Sequence, residues 1–336
     1  MRAIATTKAL KAIKMAIIAV AATAACAAAP AAFAQGAATY PSKAIRIIVP
    51  FTPGSATDVM ARIVGERLTA NWGQPVIVDN KPGAGGTIGI RETARAEPDG
   101  YTLVVVSSGH AVNHVLYKDL QYDTLKDFAG VALLGTLPSV LIVPPSLGVN
   151  SVKELVALLK AKPGEFNYAT AGVGSGAHVS TEKFNVATGV KAVHVPLKGT
   201  PPMLAETMAG RIQYAWVPAV SSMGPVRDGK VKPLAVSTPK RIAALPDVPT
   251  IAEAGFPEAE SNFWVAMLAP AKTPRDIVAR LNAEVNRALQ SPEVRDRLAK
   301  LGTEPMSMTP EQFDKFVADE YRELGDIMVK AGLTPQ

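Results

Sequence analysis

From Gln35 onward the chain repeats one device: a short apolar run rich in Val and Ile, a turn of Gly, Ser, Thr or Pro, then a stretch with apolar residues at helical spacing. Runs of the first kind are strands and stretches of the last kind are amphipathic helices. Their alternation restricts the fold to the α/β class, with parallel sheets covered by helices. The spacing predicts strands over 45–49, 76–79, 102–106, 131–134, 140–143, 167–170, 192–196, 212–216, 234–237 and 263–268. It predicts helices over 58–71, 86–94, 152–160, 177–187, 202–209, 274–290, 292–300 and 310–330. The last third is helical only and is expected to pack on a lobe already formed.

The first strand-to-helix turn carries the most chemistry. Ile45 to Val49 breaks at Pro50 and turns through Pro53 and Gly54 into a helix whose cap is Ser55, with Asp58 three residues on. A serine followed at that distance by an acid marks a helix start. The first turn of a helix leaves N–H groups unpaired and carries roughly half a positive charge, which suits a carboxylate or phosphate. The same composition returns at Ala171-Gly-Val-Gly-Ser175-Gly-Ala-His178, with Ser175 as the cap and glycines that let a ligand approach the backbone. Ser107-Ser108-Gly109 and Lys198-Gly199-Thr200 close two further strands.

The N-terminal region reads differently. Arg2, Lys8, Lys11 and Lys14 precede an apolar run from Met15 to Ala29, and Ala32-Phe33-Ala34 is an A-x-A site. This is the pattern of a secretory signal, residues 1–34, cleaved after Ala34 to release an exported protein. The run is too short and alanine-rich for a membrane span of ~20 residues. Of 35 Lys and Arg against 29 Asp and Glu, the four in this segment are removed, leaving 31 against 29, so a basic nucleic-acid surface is not supported. Cys26 is the single cysteine and leaves with the signal, which excludes disulfides and thiol chemistry from the mature chain.

Sharper chemical readings fail on spacing. Gly172-x-Gly174-x-x-Ala177 fits a dinucleotide fingerprint, but the acid required about 20 residues later is missing from Lys191 to Leu197. Gly83-Ala-Gly85-Gly86-Thr-Ile-Gly89 has Ile88 where the third glycine belongs, and neither loop carries the Lys-Ser or Lys-Thr of a P-loop. Val173 before Gly174 spoils a Gly-x-Ser-x-Gly elbow around Ser175, so a helix cap is the simpler account than a secreted hydrolase. His110 and His114 lie one helical turn apart without an acidic zincin motif and read as surface or cleft-edge histidines, not metal ligands. No cofactor or metal and no catalytic acid–base pair is predicted, and the chain is expected not to be an enzyme.

About 300 mature residues suit two α/β lobes. The turns at Leu137-Pro138 and between Pro257 and Trp264 divide the chain into a first lobe over 35–137, a second over 138–260, and a return segment over 261–336. Two crossings make a hinge, and a cleft between α/β lobes is where ligands bind.

Six segments in order then resemble one family. They are Val49 to Asp58, Val78-Asp-Asn-Lys-Pro-Gly-Ala-Gly-Gly86, Pro98-Asp-Gly-Tyr-Thr102, Tyr122-Asp-x-x-x-Asp127-Phe, Gly172-x-Gly-Ser-x-x-His178 and Ala269-Pro-x-x-Thr-Pro274. Together they resemble the Bug-type substrate-binding receptors of tripartite tricarboxylate transporters, from about Pro41 to the C-terminus. The resemblance implies a type II periplasmic binding fold, with two lobes closing on a small carboxylate held by backbone amides, small hydroxyls and bridging water, without an arginine clamp. It implies that Phe51, Thr52, Pro53, Gly54 and Ser55 form the first-lobe cradle, braced by Asp58. Gly174, Ser175 and His178 answer from the second lobe, while Ser107, Ser108, Lys198, Gly199 and Thr200 line the side. The implied protein is a periplasmic monomer that delivers its ligand to a cognate membrane transporter or presents it to a sensor. Leu197 stands where the family often has Tyr, and Trp216-Val217 where it often has Phe-Asp. Both departures are expected on the distal side of the cleft, making it more apolar and favouring a mono- or dicarboxylate, aromatic acids included, over an amino acid.

Overall fold

The computed structural model describes residues 40–335, so the predicted signal and its cleavage site lie outside the described residues. Residues from Lys43 onward cluster as one compact unit. Within this unit the chain builds two sheets. The first has the order β2-β1-β3-β10-β4, from β1 (Ile45–Val49), β2 (Val76–Asn80), β3 (Thr102–Ser107), β4 (Phe128–Leu137) and β10 (Phe263–Pro270). The second lobe contains a three-stranded sheet β8-β5-β9 of β5 (Ser139–Val143), β8 (Ala215–Pro218) and β9 (Lys232–Val236), and a pair of β6 (Asn167–Thr170) with β7 (Val193–Pro196). A parallel bridge between Tyr168 and Tyr214 joins the two pieces, giving the order β7-β6-β8-β5-β9.

The expectation of parallel sheets is only half correct. β1 pairs in parallel with β2 and β3, and β6 with β7. β10 runs antiparallel to β3 and β4, and β5 antiparallel to β8 and β9. β5 and β10 are the strands through which the chain crosses between lobes. A central strand buried on both faces reads as a continuous apolar run in either direction, so the pattern could not reveal this reversal.

Helices cover both sheets: α1 (Ala56–Trp72), α2 (Thr87–Ala94), the one-turn α3 (Asn113–Leu116), α4 (Val152–Ala161), α5 (Gly176–Thr188), α6 (Thr200–Met208), α7 (Ala219–Arg227), α8 (Arg275–Gln290), α9 (Pro292–Lys300) and α10 (Pro310–Lys330). None among the described residues is long and apolar enough to cross a membrane. The last helix packs on the first sheet: Phe313, Val317, Leu324 and Met328 of α10 join Val104, Leu133, Trp264 and Leu268 in one core. The Trp264 indole N–H donates to Glu320 on the same helix at 2.7 Å. α10 starts on a complete capping box, with Thr309 and Gln312 satisfying each other's backbone N–H groups.

The second lobe has two apolar layers. Val140, Ala169, Met203 and Val217 lie in one, and Leu155, Phe184, Tyr214 and Trp216 in the other. Trp216 is fully buried against Phe184, and Val217 is buried too, so neither lies on the distal cleft wall as expected. The strand sits about three residues later than the pattern suggested, and this shift carries Pro218 to the cleft instead. Helix α7 was not predicted at all.

Candidate ligand-binding site

The two serine-capped turns meet. Ser55 caps α1 with φ −69° and ψ 161°, accepting the Asp58 N–H at 3.4 Å. Ser175 caps α5 with φ −69° and ψ 159°, accepting the His178 N–H at 3.3 Å. Both serines line one cavity of about 20 Å³, together with Phe51, Ser107, Thr200, Pro218 and Phe263. Ala56 and Thr57 on one side, and Gly176 and Ala177 on the other, are first-turn residues with no intrahelical acceptor for their N–H groups. Thr200 opens α6 and Pro218 caps α7, so four helix starts converge on this space. No lining residue is charged. Two helix ends of roughly half a charge each match one carboxylate.

The first-lobe turn is braced from behind. Asp58 accepts the Gly54 N–H at 2.9 Å, the Arg62 guanidinium at 3.1 Å and the Asn80 amide at 3.0 Å. Burial works against its charge, but these donors outweigh burial and hold the carboxyl below its ordinary range. Asn80 also donates to the Phe51 carbonyl at 2.9 Å. Gly54 has φ +82°, a conformation only glycine adopts cheaply.

His178 plays a supporting part. Its Nδ1 accepts the Gly174 N–H at 3.1 Å, which fixes the turn ahead of Ser175 and requires the unprotonated nitrogen there. Its ring stacks on His194 at 4.4 Å, and His194 stacks on Tyr168 at 4.9 Å. Burial, then the neighbouring His194, pushes His178 down to about 3, and burial pushes His194 to about 4. Glu182 lies 3.9 Å from His178 Nε2 and takes the Tyr168 hydroxyl; burial raises its carboxyl.

Of the other predicted residues, Ser107 and Thr200 line the small cavity, while Ser108 lies behind Gly176, where a Cβ would come within 2.8 Å of its Oγ. Lys198 lines a second cavity of about 340 Å³, with Tyr117, Gly85, Gly172 and Leu197. Phe51 and Ala171 belong to both cavities and stand between them. Pro53 and Gly54 are exposed and line neither, but the Gly54 carbonyl accepts the Ser221 hydroxyl of α7 at 3.2 Å. Gly199 meets Thr52 so closely that a Cβ would fall 2.2 Å from Thr52 Oγ1. Tyr117 Oη donates to the Val173 carbonyl at 2.8 Å, a third contact between the lobes.

Sequence reasoning missed Pro218, Ser221 and Phe263. Gly224 and Pro225 inside α7 break the helical pattern that would have pointed to the first two. His110 corrects a second expectation: it is buried, stacked on Tyr122 and edge-on to Phe128, not on the surface. His114 is half-buried and stacks on Tyr321 at 3.5 Å. No group of three His, Cys, Asp or Glu among the described residues could hold a metal.

Comparison with known proteins places this architecture. A family model described as the tripartite tricarboxylate transporter family receptor matches residues 60–333. Protein BugT of Bordetella pertussis is 39% identical over 300 residues, covering 88% of this chain and 91% of that one. A solved structure of an R. palustris protein with adipate superposes with a TM-score of 0.85 at 34% identity, covering 88% of this chain and 100% of that one. MatC from Rhodopseudomonas palustris with bound malate has a TM-score of 0.82 at 34% identity, covering 86% and 99%.

Proposed function

The chain belongs to the tripartite tricarboxylate transporter receptor family, and from that premise we propose that it is a periplasmic binding protein capturing a small organic acid for delivery to a membrane transporter. One observation carries the reading: two serine-capped helix starts from opposite lobes face one uncharged cavity. A carboxylate there exchanges water for fixed donors, and charge-assisted hydrogen bonds of about 1.5–3 kcal/mol each offset its desolvation. The cavity of about 20 Å³ has room for one water-sized group, so the ligand's body extends past Phe51 and Ala171 into the larger cavity. Lys198 is the one charged side chain lining that cavity, which supports a second carboxylate at the far end. With no acid for a ligand ammonium in either lining, mono- and dicarboxylates, aromatic acids included, are preferred over amino acids.

The protein works as a monomer by stoichiometric binding and not by turnover, with lobes bounded near residues 137/138 and 260/261. It is exported by a signal cleaved after Ala34. A role in presenting ligand to a sensor would use the same site. The test is a thermal-shift screen with an organic-acid panel on protein unfolded and refolded to strip bound ligand. A ligand at about 100 times its Kd stabilises by about 2.7 kcal/mol. Ser175→Leu, which fills the cavity and removes a cap, is expected to abolish that shift. An undiminished shift in this variant, or tighter calorimetric binding of aspartate or glutamate than of simple dicarboxylates, would overturn the assignment.

A further inference from the structure

A third cavity, of about 1110 Å³, lies on the seam between the lobes and shares no lining residue with the other two. Its second-lobe wall is made by Lys183 of α5 and the segment after β9, which carries Lys240 and Arg241. Its first-lobe wall is made by Arg295 of α9 and by Thr303 and Glu304, where the chain bridges back to Thr136 at the end of β4. Four cations thus face the space, against two acids, Glu260 and Glu304. Arg241 is held by Glu253 at 2.8 Å, whereas Lys183, Lys240 and Arg295 make no ion pair among the described residues. Thr303 is 2% exposed, and its hydroxyl has no hydrogen-bond partner among the described residues. A buried hydroxyl left unmatched is costly, which marks this wall as one whose polar groups the described chain does not satisfy by itself.

We propose that this seam is a docking site for an extended acidic segment of a partner protein, gripped by cations of both lobes. Size and charge both favour a segment over a small anion. The space exceeds the range of about 300–1,000 Å³ usual for small-molecule sites. Its unpaired cations stand on separate elements of the two lobes, so one carboxylate engages a single wall while a chain of carboxylates engages both. Such a partner binds only where the two walls keep this spacing, and so recognises the mutual position of the lobes. The proposal stands whether or not the smaller cavities hold a carboxylate.

The probe is fluorescein-labelled hexaglutamate, followed by anisotropy with the full chain at about 50 mM salt, where screening is modest. Hexaglutamate is expected to bind and labelled hexalysine is not. Lys240→Glu on one wall and Arg295→Glu on the other are each expected to weaken binding by about fivefold or more. Both side chains are exposed, so the variants should fold. Hydrogen exchange on the unaltered protein supplies a mutation-free measurement, with protection expected over 237–243 and 295–306. Absence of binding, binding by both variants as tight as by the unaltered protein, weakening by only one wall, or protection elsewhere would overturn the proposal. So would displacement by free glutamate at equal carboxylate concentration, which would mark a small-anion site.

Discussion

Gly199→Ala separates two physical effects that one substitution usually mixes. Gly199 has φ +142°, where an L side chain is strained by about 1–3 kcal/mol. That strain is present in the folded chain with or without ligand, so it lowers the melting temperature by about 2–4 °C per kcal/mol for a chain of this order. The second effect depends on the lobes being together. The new Cβ would lie 2.2 Å from Thr52 Oγ1, and 3.3 Å from the Thr52 Cβ and backbone N. The two 3.3 Å contacts ask for a shift of only a few tenths of an ångström, whereas the 2.2 Å contact forces the threonine out of its rotamer or the loops apart. We expect the apposed state to lose at least about 1.4 kcal/mol, which is a tenfold weaker Kd. Titration calorimetry with the best ligand of the organic-acid panel measures the affinity, and a thermal melt without ligand measures the strain. Adding Thr52→Ala removes the hydroxyl and the branch but leaves φ untouched. The double variant should therefore recover affinity to within about threefold while keeping the lowered melting temperature. Unchanged affinity in Gly199→Ala, or affinity that Thr52→Ala fails to restore, would refute the view that these loops meet when ligand is held.

Two further outcomes follow from the same geometry. Tyr117→Phe deletes the 2.8 Å bond to the Val173 carbonyl and should weaken ligand binding about fivefold, the worth of about 1 kcal/mol, with little change in the ligand-free melt; calorimetry that finds no loss counts against a lobe-to-lobe latch. Acidification should destabilise the fold, because the unfolded chain protonates its imidazoles near 6.5 while His178 resists to about 3 and His194 to about 4. Their contribution is full above pH 6.5 and is lost as pH falls toward the folded values, at about 1.4 kcal/mol per pH unit for each proton. Glu182, whose raised carboxyl takes a proton early in the fold, works in the opposite direction and trims the slope. Urea midpoints at pH 7, 5 and 4 should fall in that order, and less steeply in His178→Gln; a flat series refutes the neutral, buried pair.

The helix starts were legible because their signals are local. Ser55 with Asp58, and Ser175 after two glycines, lie within a few residues of the structure they specify, and the structure shows both caps. What stayed hidden depends on partners far along the chain. His110 looks polar and exposed until Tyr122 and Phe128 fold over it. β10 reads as one more apolar strand, although its register against Val104 to Ser107 reverses the sheet. The strand at 215–218 appeared three residues early because Ile212 and Tyr214 are buried without belonging to it. Helix α7 disappeared because its Gly-Pro pair contradicts helix propensity, and tertiary packing overrides the contradiction.

The matching order of the two sheets has a stereochemical consequence. With β2-β1-β3-β10-β4 mirrored in sequence by β7-β6-β8-β5-β9, the helices that follow β1 and β6 occupy equivalent places, and their cap serines share nearly the same dihedral angles. The small cavity therefore sits on a pseudo-dyad, where each lobe offers the same kind of donor from opposite sides. A carboxylate, whose own two oxygens are interchangeable, suits such a place, and being planar and achiral it carries no handedness for the place to read. Any choice between mirror-image ligands has to be made off that axis, along the unequal walls that Tyr117, Leu197 and Lys198 present beyond Phe51.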